Sequence, residues 1–229
     1  MAIQSERLRV AVFVKTPGLS PIKTRLARDW GQALAVEFYL RSLRAVEAVL
    51  QEASRLHPSI EWGWAVAEEA GLTHSQWENQ PRYLQKGEGL GQRLDSIYRA
   101  CSHDGSAVAL VGADCPLIRP SDIIFANQSL QYHPRSWVLG RAFDGGFYLF
   151  AGKEPIPPAD WMSVSYSTDQ TAQQLVEVLQ SKGCFFETPG RRDIDTLDDL
   201  RALLSETTPE PDWLPEQREL WGWLQHSSK

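Results

Sequence analysis

The sequence predicts an α/β protein built on a mainly parallel β-sheet in one large domain. Its 229 residues are a natural length for such a domain, and a hydrophobic content of 42% with nine Trp is enough for a sizeable core. Two nearly continuous apolar runs, residues 8–14 and 107–114, are typical of strands buried on both faces of a parallel sheet. Segments with helical spacing alternate with the strand-like runs, which favours right-handed crossover connections.

In the first half of the chain, short apolar runs alternate with helix-like spacing. The run LRVAVFV predicts the first strand, and apolar residues three and four positions apart then predict a helix from Thr24 to about Ala53, broken near Gly31. Two further apolar runs predict strands, and the stretch after them predicts a helix with four apolar side chains on its inner face. These elements are the strands 60–67 and 82–85 and the helix 89–101, with Leu90, Leu94, Ile97 and Tyr98 facing inward.

In the second half, AVALVGAD is the clearest strand, since five apolar residues precede Gly112 and an acid. Residues 136–152 predict two strands joined at Asp144-Gly145-Gly146, because Asp-Gly is a strong turn signal. Two helical patterns follow, each preceded by residues that can form a capping box. These elements are the strand 107–114, the helix 169–182 with Ser167 and Gln170 as its box, the strand 184–189, and the helix 197–204 with Thr196 and Asp199 as its box.

The predicted main domain spans residues 1–204 and is followed by an extension, 205–229. A Pro- and acid-rich segment, SETTPEPD, leads there to a last amphipathic stretch. Its apolar residues are Trp213, Leu214, Leu220, Trp221 and Leu224. We expect this stretch to form a helix packed on the main domain. The alternative is a contact surface for a second subunit, which would make the protein a homodimer.

Charge and cysteine content narrow the classes of function. A formal net charge of −6 argues against a surface for nucleic acid. No stretch approaches the ~20 apolar residues that span a bilayer, and the N-terminus has no apolar run of signal length. Cys101, Cys115 and Cys184 form a sparse, odd set outside any metal-ligand spacing, which is typical of reduced thiols. We therefore expect a cytoplasmic protein without a membrane span.

Cations concentrate in the loop after the first strand. The stretch FVKTPGLSPIKTRLARDWG places Lys15, Lys23 and Arg25 between that strand and a helix N-terminus. Ligands of open α/β sheets bind beyond the carboxyl ends of the strands, and helix N-termini favour anions. The loop therefore predicts a phosphate site, although it matches neither the Walker pattern nor the dinucleotide glycine pattern. The alternative is that the three cations are ordinary solvated charges.

Acidic residues in two motifs are candidate ligands for a divalent cation, which prefers hard oxygen donors. Asp114 directly follows the clearest strand, at the edge of the sheet where ligands bind. A turn or N-cap role before Pro116 is its alternative. Asp193 and Asp195 alternate in RRDIDTLDDL, so in an extended segment both side chains point the same way.

Five ordered motifs resemble those of the DUF2064 family, which is described as transferase-like and related to the molybdenum-cofactor and 2-phospholactate nucleotidyltransferases. KTPGLSPIKTRL is similar to the family signature K-A-P-x-P-G-x-x-K-T-R-L, with Ser20 where the family usually has Gly. The other four motifs are GEGLGQRL, GADCP (similar to G-S-D-C-P), FDGGFY (similar to D-G-G-Y-Y) and SYSTD (similar to W-S-T-D, with Tyr166 in place of Trp). The resemblance covers most of residues 8–204.

The resemblance implies a single GT-A-like domain that binds a nucleotide with Mg²⁺ or Mn²⁺. The implied reaction moves a nucleoside monophosphate from an NTP to a small phosphorylated acceptor and releases pyrophosphate. The alternatives are glycosyl transfer from a nucleotide sugar, and a nucleotide-binding protein without catalysis. Lys23, Arg25 and Asp114 are the implied catalytic residues. The implied nucleotide-binding residues are Lys15, Pro17, Gly18, Ser20, Lys23, Thr24, Arg25, Gly89, Gly91 and Arg93.

The same resemblance implies roles for the remaining motif residues. Asp114 and Asp195 are the implied metal ligands. Two carboxylates that bind the same metal ion lie close together, so without a cation they should repel each other and the pKa of one of them should rise. Asp195 has an alternative role as the cap of the helix that begins near Leu197. The implied acceptor-binding residues are Asp144, Gly145, Gly146, Ser167 and Thr168. For Ser167 and Thr168, helix capping is the alternative.

Overall fold

A computed structural model of the chain describes residues 7–227 and is built around one seven-stranded sheet. The strands are β1 Leu8–Val14, β2 Ile60–Val66, β3 Arg82–Leu84, β4 Ala107–Gly112, β5 Ser136–Ala142, β6 Phe147–Gly152 and β7 Cys184–Arg191. The helices are α1 Thr24–Trp30, α2 Gln32–Leu56, α3 Leu90–Ser102, α4 Pro120–Tyr132, α5 Pro158–Ser163, α6 Thr171–Leu179, α7 Leu197–Glu206 and α8 Pro215–Ser227. Residues 1–6 and 228–229, which belong to the predicted ranges 1–204 and 205–229, lie outside the described residues.

The sheet runs in the order β3-β2-β1-β4-β6-β5-β7 and is mainly parallel. Strand β1 pairs in parallel with β2 and β4, β2 with β3, and β5 with β7. Only β6 is antiparallel to its neighbours, because the predicted turn at residues 144–146 reverses the chain after β5. The α/β class with a mainly parallel sheet is therefore confirmed. The carboxyl ends of β1, β2, β3 and β4 lie at one edge of this sheet.

Two apolar cores cover the two faces of the sheet, as the continuous apolar runs of β1 and β4 require. Val10 and Val12 of β1 pack in the core that includes α2 and α4. Ala11 of the same strand packs in the opposite core, with α3, α5 and α6. Each buried strand thus contributes to both layers.

The structure confirms some local predictions and overturns others. The predicted break at Gly31 separates α1 from α2, and Thr196 forms the predicted capping box with Asp199. The capping box predicted for Ser167 is wrong, because α6 begins at Thr171 and Ser167 has a left-handed backbone with φ 61°. Leu90 does not face inward, since 43% of its surface is exposed. Helices α4 and α5 have no counterpart among the predicted elements.

The C-terminal helix α8 packs on α2 through an apolar cluster. Trp221 of α8 stacks edge-on against Trp213 with ring centroids 5.5 Å apart, and both are buried. The buried side-chain amide of Gln217 donates to the backbone carbonyls of Pro116 and Ile118, at 2.9 and 3.0 Å. Because these side chains are used within the chain, they are not available as a contact surface for a second subunit. Within residues 7–227, no helix is long and apolar enough to cross a membrane.

Candidate active site

The loop that leaves β1 is held in place at its first two residues. The Lys15 N–H donates to the Tyr39 hydroxyl at 2.9 Å, and that hydroxyl donates back to the Lys15 carbonyl at 2.8 Å. The Thr16 N–H donates to the Glu68 carboxylate at 2.9 Å, and the Trp77 ring N–H donates to the Thr16 hydroxyl at 3.1 Å. The start of the loop is therefore fixed by α2 and by the segment after β2.

The Lys23 side chain is buried, with 4% of its surface exposed, and its ammonium lies between two carboxylates. Its Nζ is 2.8 Å from Asp114 Oδ1, 2.8 Å from Asp195 Oδ1 and 2.6 Å from the Ile194 carbonyl. Burial alone would lower the pKa of Lys23, but the two carboxylate charges outweigh it and raise the pKa. An ammonium has three N–H donors, so none is left for a phosphate in this arrangement. The expectation that Lys23 itself holds the phosphates stays a prediction, and it would require Lys23 to release one of these three partners.

The repulsion expected between Asp114 and Asp195 is replaced by a shared attraction to the Lys23 ammonium. Burial would raise the pKa of Asp195, but the charge and hydrogen bond of Lys23 outweigh it, so the pKa is lowered. The capping alternative for Asp195 is wrong, because Thr196 is the N-cap of α7 and its hydroxyl accepts from the Asp199 N–H. Asp195 is therefore a cation-binding acid in this structure.

Asp193, two residues earlier, is the acid without a partner. Its Oδ1 atom is buried and has no hydrogen-bond partner. Burial, followed by the nearby charge of Asp114, raises the pKa of Asp193 to about 8, although Lys23 acts in the opposite direction. The alternating acids in the sequence placed Asp193 on the same side as Asp195, but the resemblance favoured Asp195 as the ligand. The sequence does not show that the Oδ1 atom of Asp193 lacks a hydrogen-bond partner; only the folded structure does.

The first cleft, of about 370 Å³, opens beside this loop at the carboxyl ends of the strands. Arg25 lies in the wall of this cleft. Its side chain is exposed and makes no hydrogen bond or ion pair with any residue from 7 to 227. Arg93 donates to the Gly87 carbonyl at 3.1 Å, and Lys15 reaches the Pro21 carbonyl only at 3.5 Å. These three cations therefore keep most of their donors for a ligand. The polar lining residues are Lys15, Lys23, Thr24, Arg25, Tyr39, Gln85, Arg93, Asp114 and Asp195, of which Tyr39 and Gln85 had no predicted role.

Several residues expected to bind the nucleotide do not line this cleft. Pro17, Gly18 and Ser20 line a separate groove on the outer side of the loop, beside α2. Gly89 caps α3, and Gly91 is buried, with a β-carbon there falling 2.8 Å from the Trp161 carbonyl. Gly91 is therefore needed for packing between α3 and α5. The substitution of Ser20 for the family's usual Gly lies outside the cleft.

The second cleft, of about 260 Å³, lies on the other side of Asp114. It shares Phe13, Leu90 and Asp114 with the first cleft. Four of the five predicted acceptor residues line it, together with Asp193 and the aromatic side chains Phe147, Tyr148 and Tyr166. These four are Asp144, Gly146, Ser167 and Thr168. The fifth, Gly145, has φ +90° and packs its backbone against the Asp169 carbonyl, where a β-carbon would not fit.

Comparison with known proteins assigns the chain to a family. Residues 44–168, more than half of the chain, match the family described as "Uncharacterized protein conserved in bacteria (DUF2064)". The chain belongs to the DUF2064 family. The matched range contains α3, β4 and the second cleft's Asp144, Ser167 and Thr168. No curated protein matches this DUF2064 chain.

Solved structures share the fold of this DUF2064 protein. A provisionally named nucleotide-diphospho-sugar transferase from Desulfovibrio desulfuricans is similar over 96% of both chains, with a TM-score of 0.82 and 23% identity. A nucleotidyl transferase from Methanothermobacter thermautotrophicus is similar over 86% of this chain and 95% of its own, with a TM-score of 0.57 and 13% identity. The Mycobacterium tuberculosis protein Rv0371c, solved in complex with manganese, is similar over 88% and 100%, with a TM-score of 0.51 and 14% identity. At these identities the likeness shows the GT-A-like fold.

The acids of the site fit a divalent cation by their chemistry. Asp114 and Asp195 already converge on one cation, the Lys23 ammonium, and the buried Oδ1 of Asp193 lacks a partner. Among residues 7–227, no group of three or more His, Cys, Asp or Glu side chains is arranged as a metal site. Mg²⁺ needs only one or two protein carboxylates when substrate and water supply its other oxygens.

Proposed function

We propose that this DUF2064 protein is an enzyme that transfers a group from a nucleotide to a small acceptor. The observation that carries the proposal is the pair of clefts that meet at Asp114. The first cleft is lined by cations and suits the phosphates of a nucleotide. The second cleft is lined by residues that the family resemblance implies for acceptor binding. The first candidate reaction is nucleotidyl transfer from an NTP to a small acceptor with release of pyrophosphate. The sequence-based expectation of a phosphorylated acceptor stays part of this proposal.

In this proposal the chain's own residues act by positioning and by neutralising charge. Arg25, Arg93 and Lys15 bind the phosphate oxygens, because their donors face the first cleft and are largely unused. Thr24, the first residue of α1, lines the same cleft and adds a hydroxyl group. Lys23 holds the carboxylates of Asp114 and Asp195 together, and it affects the phosphates indirectly, through the position of these two carboxylates.

Asp114, with Asp195 or Asp193, would hold a Mg²⁺ or Mn²⁺ ion. Such an ion, when bound, neutralises phosphate charge and polarises phosphoryl oxygens. The manganese complex of the structurally similar Rv0371c supports a divalent cation in this fold. Asp114 and Asp195 each use Oδ1 for Lys23, so the second oxygen of each carboxylate is free for an ion, and Asp193 also has an unused oxygen.

The second candidate reaction is transfer of a glycosyl group from a nucleotide sugar. The absence of Lys and Arg among the described residues of the second cleft favours it, since that cleft suits an uncharged group. The name of the Desulfovibrio relative points the same way. Pyrophosphate release would identify nucleotidyl transfer, and release of a nucleoside diphosphate would identify glycosyl transfer.

A thermal-shift screen of NTPs and nucleotide sugars, with and without Mg²⁺, tests the proposal. Ligand at 100 times its dissociation constant should add about 2.7 kcal/mol to the free energy of unfolding. The best ligands are then incubated with candidate acceptors, and the released phosphates are analysed. Nucleotide binding without turnover on any acceptor would favour the non-catalytic alternative. No stabilisation by any nucleotide would contradict the proposal. We expect the reaction to take place in the cytoplasm, where the three thiols stay reduced.

A further inference from the structure

We propose that the second cleft accepts an uncharged or cationic group that carries hydroxyl or amine donors, and that it excludes phosphate and carboxylate groups. The inference rests on the proposed function, which places the nucleotide phosphates in the first cleft. It concerns the charge of the part of the substrate that lies in the second cleft.

The charge of the second cleft is the first argument. Asp114, Asp144 and Asp193 all line it, and within residues 7–227 no Lys or Arg side chain does. The Lys23 ammonium contacts the lining residue Asp114, but its three donors are taken by Asp114, Asp195 and the Ile194 carbonyl. Asp114 is already paired with the Lys23 ammonium, so Asp144 is the lining acid whose charge is offset by no ion pair within residues 7–227. An anionic group would therefore enter a cleft that offers it like charge and no cation.

The hydrogen-bonding groups of the cleft are the second argument. The buried Oδ1 of Asp193 has no partner and therefore requires a donor or a cation. Asp144 uses its Oδ1 to accept the Gly146 N–H at 2.9 Å, which leaves its second oxygen for a ligand. The free oxygen of the Asp144 carboxylate is an acceptor only, so the matching ligand supplies an O–H or N–H group there.

The walls of the cleft are the third argument. Phe147 and Tyr166 supply apolar faces to this lining, and Ser167 and Thr168 supply hydroxyl groups, of which that of Thr168 already donates to the Ser165 carbonyl at 3.1 Å. This combination suits a compact group with alternating polar and apolar surface. A phosphorylated acceptor would consequently keep its phosphate in the first cleft, near Arg25, and place its uncharged portion in the second.

Binding of three nucleoside diphosphate sugars that differ only in the charge of the sugar tests the inference. Glucose is neutral, glucosamine is cationic and glucuronate is anionic, and the base is the one preferred in the thermal-shift screen. Calorimetry with Mg²⁺ should give a dissociation constant about 10-fold or more higher for the glucuronate form than for the glucose form. The glucosamine form should bind at least as tightly as the glucose form.

Two variants locate the effect in the cleft. Asp144→Asn removes one lining charge but keeps the side-chain acceptor for Gly146, and should reduce the discrimination against glucuronate about threefold or more. Asp169→Asn removes another exposed acid that lies outside the cleft lining, and should leave the discrimination unchanged.

The outcomes separate this inference from the proposed function. Tight binding of the nucleoside diphosphate together with equal or tighter binding of the glucuronate form overturns the inference alone. Three sugars that all bind like the bare nucleoside diphosphate also overturn it, because the second cleft then contacts none of them. Failure of every nucleotide to bind, with or without Mg²⁺, overturns the proposed function and the inference with it.

Discussion

Lys23 and Asp114 form a 2.8 Å ion pair that ties the loop after β1 to the end of β4. Lys23 has a left-handed backbone, with φ 48° and ψ 47°, which is uncommon for a residue with a side chain. Such a conformation costs about 1–3 kcal/mol and persists only where surrounding contacts determine it. The two carboxylates and the Ile194 carbonyl supply these contacts. The ion pair thus fixes both the loop and the acid that the two clefts share.

Lys23→Met should lower the free energy of unfolding by about 1–3 kcal/mol, as measured by urea denaturation. Loss of a buried pairing partner can cost about 3–5 kcal/mol. The expected loss is smaller, because Asp114 and Asp195 are each 44% exposed and water screens their repulsion. Millimolar Mg²⁺ should recover more stability in the variant than in the parent, since a divalent ion can replace the ammonium. Lys15→Met, at an exposed position, should change stability by less than about 0.5 kcal/mol.

Asp114→Asn should abolish the Mg²⁺-dependent part of nucleotide binding and leave the protein folded. The amide lacks the charge that binds a cation, while Lys23 keeps Asp195 and the Ile194 carbonyl as partners. Thermal shifts with nucleotide, with and without Mg²⁺, measure the effect. Asp198→Asn, which removes an exposed acid of α7 paired with Arg201, is the control and should behave like the parent. Unchanged Mg²⁺-dependent binding in the Asp114 variant would rule out its metal role.

Arg25→Lys should weaken nucleotide binding about 10-fold, although the charge is kept. A planar guanidinium can bind two phosphate oxygens at once, whereas an ammonium acts as a point charge. Arg25 is exposed in the first cleft, without an ion pair among the described residues, so the substitution breaks no structural contact. Arg28→Lys, one turn later on α1 and paired with Asp29, provides the matched control. Equal affinities of parent and Arg25 variant by calorimetry would exclude a guanidinium clamp.

Trp221→Ala should destabilise the whole protein by about 3–5 kcal/mol, as is usual for a buried Trp. Trp221 is 6% exposed and lies in the cluster that joins α8 to α2, so we propose that residues 205–227 are an integral part of the fold. Urea denaturation followed by two independent probes should show one transition at lower denaturant concentration. Met162→Ala, at a half-exposed position, is the control and should cost little. A separate early transition would instead make α8 an independent appendage.

The parts of the fold that follow from residue type alone were predictable from the sequence. Strands β1 and β4 are buried on both faces, so their sequences are almost continuously apolar and no other secondary structure competes with the strand prediction. Because the carboxyl ends of parallel strands share one edge, the cations near Lys23 and the acid Asp114 could be expected on the same side of the sheet. Helix α4 was missed although Pro120 stands at its first turn and Asp122 accepts the Arg119 N–H, both of which are start signals.

The parts of the site that depend on burial and three-dimensional proximity were not predictable. The sequence shows that Lys23 is a cation, but only the fold shows that two acids and a carbonyl take all of its donors. Likewise, Asp193 and Asp195 are equivalent in the sequence pattern. They differ in the structure because Asp195 reaches the ammonium and the Oδ1 atom of Asp193 reaches no donor.

Asp193→Asn should raise the free energy of unfolding of the metal-free protein by about 1–3 kcal/mol near pH 8. The substitution removes a charge that is desolvated, has an unpaired oxygen and lies near the charge of Asp114. Burial raises the pKa of Asp193 to about 8, whereas an ordinary Asp has a pKa of 3.8. The folded parent therefore holds a proton between pH 4 and 8 that the unfolded chain has released, so its stability falls as pH rises through this window.

The gain from Asp193→Asn should consequently be small near pH 4 and grow toward pH 8, as measured by urea denaturation in buffer with a chelator. Asp195→Asn is the matched control and should have the opposite sign, because it removes an acid that is paired with the Lys23 ammonium. With Mg²⁺ present, Asp193→Asn should also lower metal affinity if its unused oxygen is a ligand. A loss of stability at every pH would show that the Asp193 carboxylate is compensated in the folded protein.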